Sequence, residues 1–313
     1  MALLSTSVYL SSITERHIEK VVAENWALAR PIQARLRRDH VDFPGGTELT
    51  VPILTGSEPN VQAFAGTDLI PLALGAPINR ARYLMKRYSA QLVIPTDEIL
   101  VNSGPEAIVD LVSVRRRNLE ISLDDMIGTD LITSTGTGSA VRTVEGIENI
   151  IDNVTSTGGI GPADLASWSA KVTTTSESIA SNLRAIQDGF GAVTIGAEMP
   201  TLAATTQTIL NQMWQSGMQM QRLVDESGAS LGFTALGFNM RPVVVDAGIP
   251  ANHFLWLNER YLKLHIHKQD NFRAIYIDKL PDQDVSLWRI TVTLAPSTDN
   301  RRMHFKHTNL QVS

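Results

Sequence analysis

Residues 43–95 read FPGGTELTVPILTGSEPNVQAFAGTDLIPLALGAPINRARYLMKRYSAQLVIP, and this stretch constrains the fold more than any other part of the chain. Glycine or proline interrupts it every few residues as far as Pro77, which is typical of turns. Two strand-like pieces lie within it, at 49–51 and 80–94. A two-stranded ribbon is only marginally stable alone in water. The sequence therefore predicts a long two-stranded excursion that something outside it must hold.

The clearest helix follows this excursion. Residues 103–106, Ser-Gly-Pro-Glu, match a capping box with proline in the first turn. Apolar residues then recur at three- and four-residue steps as far as Leu131. A continuous helix over this stretch would be about 40 Å long. We expect one of its faces to pack against a sheet along the whole length.

An arginine run, Arg115-Arg116-Arg117, lies in the middle of this helix. Three consecutive positions cover most of a helix circumference, so at least one arginine must approach or extend from the apolar face. The plainer interpretation is a solvated face on which Arg116 pairs with Glu120, four residues on.

The N-terminal part predicts an amphipathic helix over 13–38 that Pro31 kinks or interrupts. The basic run Arg35, Arg37 and Arg38 follows. It fits a solvated helix end, where cations are favoured. The alternative is a contact with a neighbouring molecule or with DNA.

The remainder predicts a mixed α+β fold. Helical patterns occupy 163–170, 176–187 and 200–226, the last with Leu202 and Trp214 directed inward. The final third alternates as strands; these are predicted at 254–257, 261–267, 272–277, 285–295 and 304–310.

Composition narrows the function classes. The 313 residues are 43% hydrophobic and 19% charged, as in globular proteins. A net charge of −5 argues against a general nucleic-acid-binding protein. It is compatible with a protein surface that encloses DNA without binding it tightly. The absence of cysteine excludes disulfides and thiolate chemistry. No apolar run predicts a membrane span, and the opening MALLSTSVYLSS predicts a mature N-terminus rather than a secretory signal.

Motifs that could carry catalysis are weak. The glycine-rich stretches 136–139 and 158–161 lack the strand and helix that a phosphate-binding loop needs, and Gly161-Pro162 predicts a turn. The pairs Asp124-Asp125 and Asp282/Asp284 suit helix surfaces or turns better than acid–base work. We therefore predict no catalytic or cofactor-binding residues.

Two histidine pairs, His265-x-His267 and His304-x-x-His307, are the only candidates for a metal site. A metal would need a third ligand that converges on them. Strand alternation places His265 and His267 on the polar face, so we expect exposed histidines and no metal.

The order of elements resembles the major capsid proteins of tailed bacteriophages, the Hong Kong 97-like or Johnson fold. Two segments carry the resemblance. GFNMRPVVVD at 237–246, followed by NHFLWLN at 252–258, is similar to a strand–aspartate–aromatic strand segment common in these coat proteins. WRITVTL at 288–294, followed by Asn-Arg-Arg at 300–302, resembles their closing strands.

The resemblance implies an α+β capsid fold with a defined domain map. Residues 1–42 would be an N-terminal arm, and residues 43–95 an extended loop (the E-loop) over a neighbouring subunit. The peripheral domain would combine 96–135, with the long spine helix, and the closing strands of 271–313. The axial domain, 136–270, would meet the five- and six-fold axes.

The resemblance also implies residues for contacts between subunits. In the E-loop these are Glu58, Asp68, Arg80, Arg82, Lys86 and Arg87; in the arm they are Trp26, Arg35, Arg37 and Arg38; in the spine helix they are Arg115, Arg116 and Arg117.

As partners, the resemblance implies other copies of the chain, in pentamers and hexamers of an icosahedral head. Packaged double-stranded DNA would lie on the inner face without specific contacts. Separate scaffolding, portal and decoration proteins would take part, with no membrane. Such a protein is part of the virion, is assembled in the host bacterial cytoplasm, and is neither an enzyme nor cofactor-dependent.

Two other functions stay open at this point. The first is the shell of an encapsulin-type nanocompartment, which would hold protein cargo instead of DNA. The second is a soluble nucleotide-binding or hydrolytic enzyme, which would form a small oligomer and melt at a ligand-dependent temperature.

Overall fold

The computed structural model describes residues 30–54, 60–66, 69, 78–97, 111–136, 141–179, 184–215, 236–277 and 283–311. The predictions for Trp26, Glu58, Asp68 and the helix cap at 103–106 lie outside these residues, as does most of the predicted helix before Pro31.

Along this part of the chain, helices separate runs of consecutive strands. The helices are α1 (Pro31–Arg38), α2 (Leu111–Thr133), α3 (Ile147–Ile150), α4 (Arg184–Val193) and α5 (Gln207–Gln215), with 3-10 turns at Ala166–Trp168 and Arg301–Met303. The strands are β1 (Val41–Phe43), β2 (Glu48–Leu54), β3 (Ile78–Leu84), β4 (Lys86–Pro95), β5 (Lys171–Thr173), β6 (Glu177–Ser178), β7 (Leu202–Thr205), β8 (Leu236–Phe238), β9 (Arg241–Val245), β10 (Phe254–Leu257), β11 (Leu262–His267), β12 (Arg273–Ile277), β13 (Val285–Thr298), β14 (Phe305–His307) and β15 (Leu310–Gln311). None of these helices is both long and apolar enough to cross a bilayer.

The first sheet is built around the long strand β13. It pairs antiparallel with β4 along one edge and with β12 and β11 along the other, and β1 adds in parallel to β11. Helix α2 packs on this sheet through Leu123, Ile127 and Leu131, each at most 3% exposed. Their four-residue spacing places them along one face. Met126, also apolar, is 53% exposed because it lies about 100° around the helix from Ile127.

The second sheet has the order β5-β14-β10-β7-β9-β8 and lies between two cores. In β10, Phe254 and Trp256 pack with α4 and α5, whereas Leu255 and Leu257 pack with α2 and the first sheet. Successive side chains of a strand point to opposite faces. The unbroken apolar run therefore serves both cores, as expected for a sheet covered on both sides.

A separate two-stranded ribbon, β2 with β3, projects from this body. Its register pairs Glu48 with Leu84 and Leu54 with Ile78. The single strand predicted over 80–94 is in fact two strands that meet at Met85. β4 belongs to the first sheet because it forms ten register pairs with β13. Within the predicted excursion 43–95, the ribbon therefore ends at Leu84.

The boundary predicted at residue 270 does not coincide with a boundary between sheets. β11 precedes it but pairs with β13, and β14 follows it but pairs with β10. Chain order and sheet membership therefore differ here.

Several helix predictions in the middle of the chain are wrong. Residues 202–205 of the predicted helix 200–226 form β7, because pairing with β10 and β9 overrides a weak helical preference. Trp214 on α5 is 59% exposed rather than inward. The helix predicted at 176–187 is wrong at its start, where Glu177–Ser178 forms β6, and the described part of the helix begins at Arg184; the segment 163–170 holds only a 3-10 turn. The five predicted closing strands are confirmed within a few residues.

Candidate assembly surface

The ribbon base, which we define as β2 and β3, packs on its own chain through one face. Ile53, Ala81 and Tyr83 form a buried cluster with Ile160 and Trp168 of the segment that follows α3. The sequence predicts that something outside the ribbon must hold it, and the resemblance makes that a neighbouring subunit. The base instead packs on the body of its own chain.

Polar contacts fix the position of the ribbon base. The buried Tyr83 hydroxyl donates to the carbonyl of Thr298 (2.9 Å) and accepts from the backbone N–H of the same residue (3.3 Å). Burial raises the pKa of Tyr83 far above its ordinary value, so the hydroxyl stays protonated. The backbone N–H of Arg82 donates to the carbonyl of Gly158 (2.8 Å). The ribbon base is thus tied to the end of β13 and to a glycine turn.

That turn, Gly158-Gly159, requires glycine for two separate reasons. Both residues have positive φ, +61° and +78°, which other residues rarely adopt. In addition, a Cβ on Gly158 would lie 2.7 Å from the Cβ of Ala81. A Cβ on Gly159 would meet nothing within 4 Å. The motif that looked like a weak phosphate loop is therefore a docking turn for the ribbon.

Beneath this turn lies a buried arginine that the sequence prediction missed. Arg301 is 0% exposed and donates to the carbonyls of Ile150 (2.7 Å), Asp152 (2.6 Å) and Thr155 (3.1 Å). Three charge-assisted hydrogen bonds fix the loop that leads into the turn. In the sequence, Arg301 is distinguished only by its place in the segment 300–302, which follows the strand that resembles the closing strands of the coat proteins.

Beyond the ribbon base, the chain exposes apolar side chains. Val61 is 83% exposed, Phe64 61% and Leu69 93%, and Leu54 and Ile78, which close the ribbon base, are 76% and 66% exposed. All described residues between 60 and 69 are exposed. Single exposed apolar residues are ordinary, but several large ones within one short segment favour an interaction surface.

The charged residues predicted for the E-loop divide into two groups. Arg80 and Arg82 are exposed on the ribbon base. Arg87 instead binds Asp270 on its own chain (3.1 Å), and the buried ammonium of Lys86 donates to the carbonyl of Val141. Burial lowers the pKa of Lys86.

The predicted arm residues on α1 bind their own chain. Arg35 lies 3.4 Å from Glu259, and Arg37 lies 2.9 Å from Asp124 and stacks over Phe272. Arg38 pairs with its neighbour Asp39 (3.1 Å). The solvated-end interpretation is thus wrong for the buried Arg35, which is 5% exposed.

The N-terminus of α1 is held by a buried aspartate. Asp246 accepts from the backbone N–H of Ile32 (3.2 Å) and of Gly248 (2.9 Å), and lies 3.7 Å from the guanidinium of Arg30. Burial raises the pKa of Asp246, while these donors oppose the rise. A carboxylate at a helix N-terminus satisfies otherwise unpaired donors. In the sequence, the signal for Asp246 was its position directly after a strand, within the segment 237–246 that resembles the coat proteins.

On α2 the arginine run follows the plainer prediction. Arg116 pairs with Glu120 (3.1 Å) and lies over the ring of Trp288 at 5.5 Å. Arg117 is exposed, while Arg115 is half-buried. Arg115 is thus the least exposed of the three, as expected when one arginine of such a run approaches the apolar face of a helix.

The prediction that these histidines are exposed is wrong. His304 and His307 are 0% exposed and His265 is 9% exposed; only His267 is half-buried. Strand β11 is covered on both faces, and the His265 ring reaches Ser297 Oγ on β13 at 3.0 Å. A polar side chain can face a core when its hydrogen bonds are met there. Within the described residues, no cluster of three or more His, Asp or Glu side chains could hold a metal.

The architecture is that of known shell proteins. No family model matches the chain, and no curated protein sequence matches it. Among solved structures, it is similar to the capsid of cyanophage A-1(L), with a TM-score of 0.71 at 17% identity over 91% of this chain and 94% of that one. A capsid protein of a native GTA particle gives 0.63 at 12% identity, over 91% and 92%. The holo-SrpI encapsulin of Synechococcus elongatus PCC 7942 gives 0.60 at 11% identity, over 100% and 98%.

These likenesses define the class of fold. The chain has the Hong Kong 97-like α+β capsid fold, as the resemblance predicted. At such low identity the likeness shows architecture, and function has to be argued from the surfaces of this chain.

Proposed function

We propose that this chain is the major capsid subunit of a tailed phage, which self-assembles into pentamers and hexamers of an icosahedral shell around double-stranded DNA. The observation that carries the proposal is the ribbon: its base is anchored on a folded body, while its far end exposes Val61, Phe64 and Leu69 to water. A surface of this kind needs a partner, and the fold is shared with proteins of phage capsids.

Head-to-tail contacts between copies generate closed rings, and rings close into a shell. Each contact can be weak, because many per subunit make the shell stable through multivalency. The predicted arm (1–42), E-loop (43–95), peripheral (96–135 with 271–313) and axial (136–270) regions are part of this proposal. So are scaffolding, portal and decoration proteins, the virion location and assembly in the host cytoplasm.

Imaging of the purified full-length chain tests the proposal. We expect icosahedral particles by negative-stain electron microscopy. Leu54 pairs with Ile78, so residues 55–77 can be replaced by a two-residue Asn-Gly turn without disturbing the ribbon base. That variant should fold but stay as monomers or capsomers. A wild-type chain that stays a small oligomer would contradict the shell, and intact shells from the variant would contradict the role of the ribbon.

A second candidate is a nanocompartment shell. It is favoured by the likeness to an encapsulin, which extends over all of this chain. Particle contents separate the two. Genome-length DNA in particles purified from the native source supports the phage head, whereas a single co-purifying protein cargo supports the compartment.

A further inference from the structure

We propose that Arg30 forms a clasp between α2 and the loop that follows β9, binding Asp125 on one side and Asp246 on the other, and that acid opens the Asp246 side first. These three residues are the Arg30 clasp. Helix α2 packs on the first sheet, and β9 is a strand of the second sheet. The clasp therefore couples the two sheets. The inference concerns the body of one subunit and does not depend on the proposed self-assembly.

The guanidinium of Arg30 lies in a narrow slot between these two elements. The side chain of Arg30 is 10% exposed and that of Asp246 is 0% exposed. Gly128 on α2 borders the slot, because a Cβ there would lie 3.1 Å from Cδ and Nε of Arg30. Gly248 in the loop borders it as well, because a Cβ there would collide with Nη1 of Arg30. Glycine at both positions leaves the space that the guanidinium occupies.

The two sides of the clasp are held differently. On the α2 side, Nη2 of Arg30 donates to Asp125 Oδ1 (2.7 Å) and to Thr129 Oγ1 (2.8 Å). On the loop side, Nη1 lies 3.7 Å from Asp246 Oδ1, which is an ion pair but too long for a hydrogen bond. Within the described part of the chain, the buried Nη1 and Nε have no hydrogen-bond partner. Charge alone thus holds the loop side, whereas direct hydrogen bonds hold the α2 side.

This difference determines which side acid opens. Burial raises the pKa of Asp246, while the backbone N–H groups of Gly248 and Ile32 and the charge of Arg30 oppose the rise. Once Asp246 binds a proton, the attraction across 3.7 Å is lost, and Arg30 keeps its hydrogen bonds to α2. Because the pKa is raised, this protonation favours the folded chain. The opening is therefore a local change and not unfolding.

A neighbouring ion pair provides a matched control. Arg37 on α1 binds Asp124 on α2 (2.9 Å), one residue before the acid of the clasp. The other described contact of its guanidinium is with the ring of Phe272, so this bridge does not include the loop after β9. Asp130, further along α2, accepts from the hydroxyl of Tyr88 (2.9 Å). These acids have partners of their own outside the clasp.

Double-mutant cycles in the full-length chain test the proposal. Arg30→Met is combined with Asp246→Asn and, separately, with Asp125→Asn, and urea unfolding gives each coupling. At pH 7 both couplings should change the unfolding equilibrium constant about fivefold or more. As the pH is lowered towards 4.5, the coupling of Arg30 with Asp246 should disappear before the coupling with Asp125. All chains are compared in the same assembly state, checked by sedimentation.

Hydrogen exchange locates the opening. The amide of Gly248 donates to Asp246 Oδ1, the same oxygen that faces Arg30. Arg30→Lys keeps the charge but not the planar fork, so the chain should fold while Gly248 exchanges about tenfold faster. Arg37→Met removes the control bridge and should leave exchange at Gly248 unchanged.

Two results would overturn the proposal in the cycles: no coupling between Arg30 and Asp246 at pH 7, or loss of the Asp125 coupling first. Equal exchange at Gly248 in Arg30→Lys and Arg37→Met would overturn it independently, including the case in which Arg30→Met does not fold.

Discussion

A single buried histidine links the two sheets. His304 accepts the backbone N–H of Asn258, at the end of β10, on Nδ1 (3.2 Å). Its Nε2 lies 3.4 Å from the hydroxyl of Thr298, at the end of β13. Acceptance on Nδ1 requires the neutral tautomer with the proton on Nε2. Burial, and then the charge of Arg301, lower the pKa of His304 to about 3.

This histidine should make stability depend on pH. Between about pH 6.5 and 3 the unfolded chain binds a proton here that the folded chain does not, so stability falls as pH falls through that window. The slope from this group approaches 1.4 kcal/mol per pH unit. We expect His304→Gln to have a shallower decline in urea-unfolding free energy between pH 7 and 5, measured on unassembled chain.

The raised pKa values of Glu145 and Asp246 act in the opposite sense, since their protonation favours the folded chain as pH falls. The comparison of wild type with variant removes this contribution because both chains carry it. Parallel curves for His304→Gln and wild type would rule out this linkage.

At the scale of elements, the ribbon base, the glycine turn and the end of β13 form one docked unit. Within the described residues, neither strand of the ribbon pairs with a third strand. The position of the ribbon therefore depends on Tyr83, on the hydrogen bond from Arg82 to Gly158, and on the cluster with Trp168. A two-stranded ribbon requires such packing to be ordered.

Substitutions at the two glycines of the turn distinguish the effect of backbone strain from the effect of a steric clash. Gly159→Ala meets open space and should cost only the strain of positive φ, about 1 kcal/mol. Gly158→Ala adds a clash with Ala81 and should displace β3 from the turn. We expect hydrogen exchange at the Arg82 amide to accelerate far more in Gly158→Ala than in Gly159→Ala. Equal exchange in the two variants would show that the close contact does not hold the ribbon.

At the scale of the whole molecule, the chain combines two kinds of surface. The body buries its apolar residues in two cores on either side of the second sheet. The far end of the ribbon leaves its apolar residues uncovered. A lone subunit can therefore be stable while its extension remains available to another molecule.

This separation predicts that assembly and folding respond to different residues. Phe64→Ser with Leu69→Ser should leave the unfolding free energy of the subunit within about 0.5 kcal/mol of wild type, because both side chains are already exposed. The same pair should strongly reduce particle formation, measured by light scattering. Val154→Ser, at a site on the body that is 78% exposed, should alter neither property. A large loss of subunit stability in the variant with both serines would mean that the far end of the ribbon belongs to the core.

Periodicity alone predicted the elements with strong local patterns. The four-residue spacing of Leu123, Ile127 and Leu131 and the alternation near Leu262 identified a helix and a strand correctly, because these patterns depend only on backbone geometry. Leu202–Thr205 was assigned to a helix, since nothing local shows that β10 and β9 lie on either side of it. The sequence identified the charged residues of the arm and the E-loop, but it could not identify the residues with which they pair.

Local patterns of residues were sufficient to predict the α+β class, the long helix, the closing strands and an extension, because propensity, periodicity and glycine–proline spacing act over a few residues. Only the tertiary structure decided that Gly158 supports the ribbon, that Arg301 and His304 are buried, and that Arg80 and Arg82 stay exposed while Arg35 does not. Those outcomes depend on contacts between residues far apart in the chain, whose burial and charge pairing are fixed only when the two sheets and the ribbon come together.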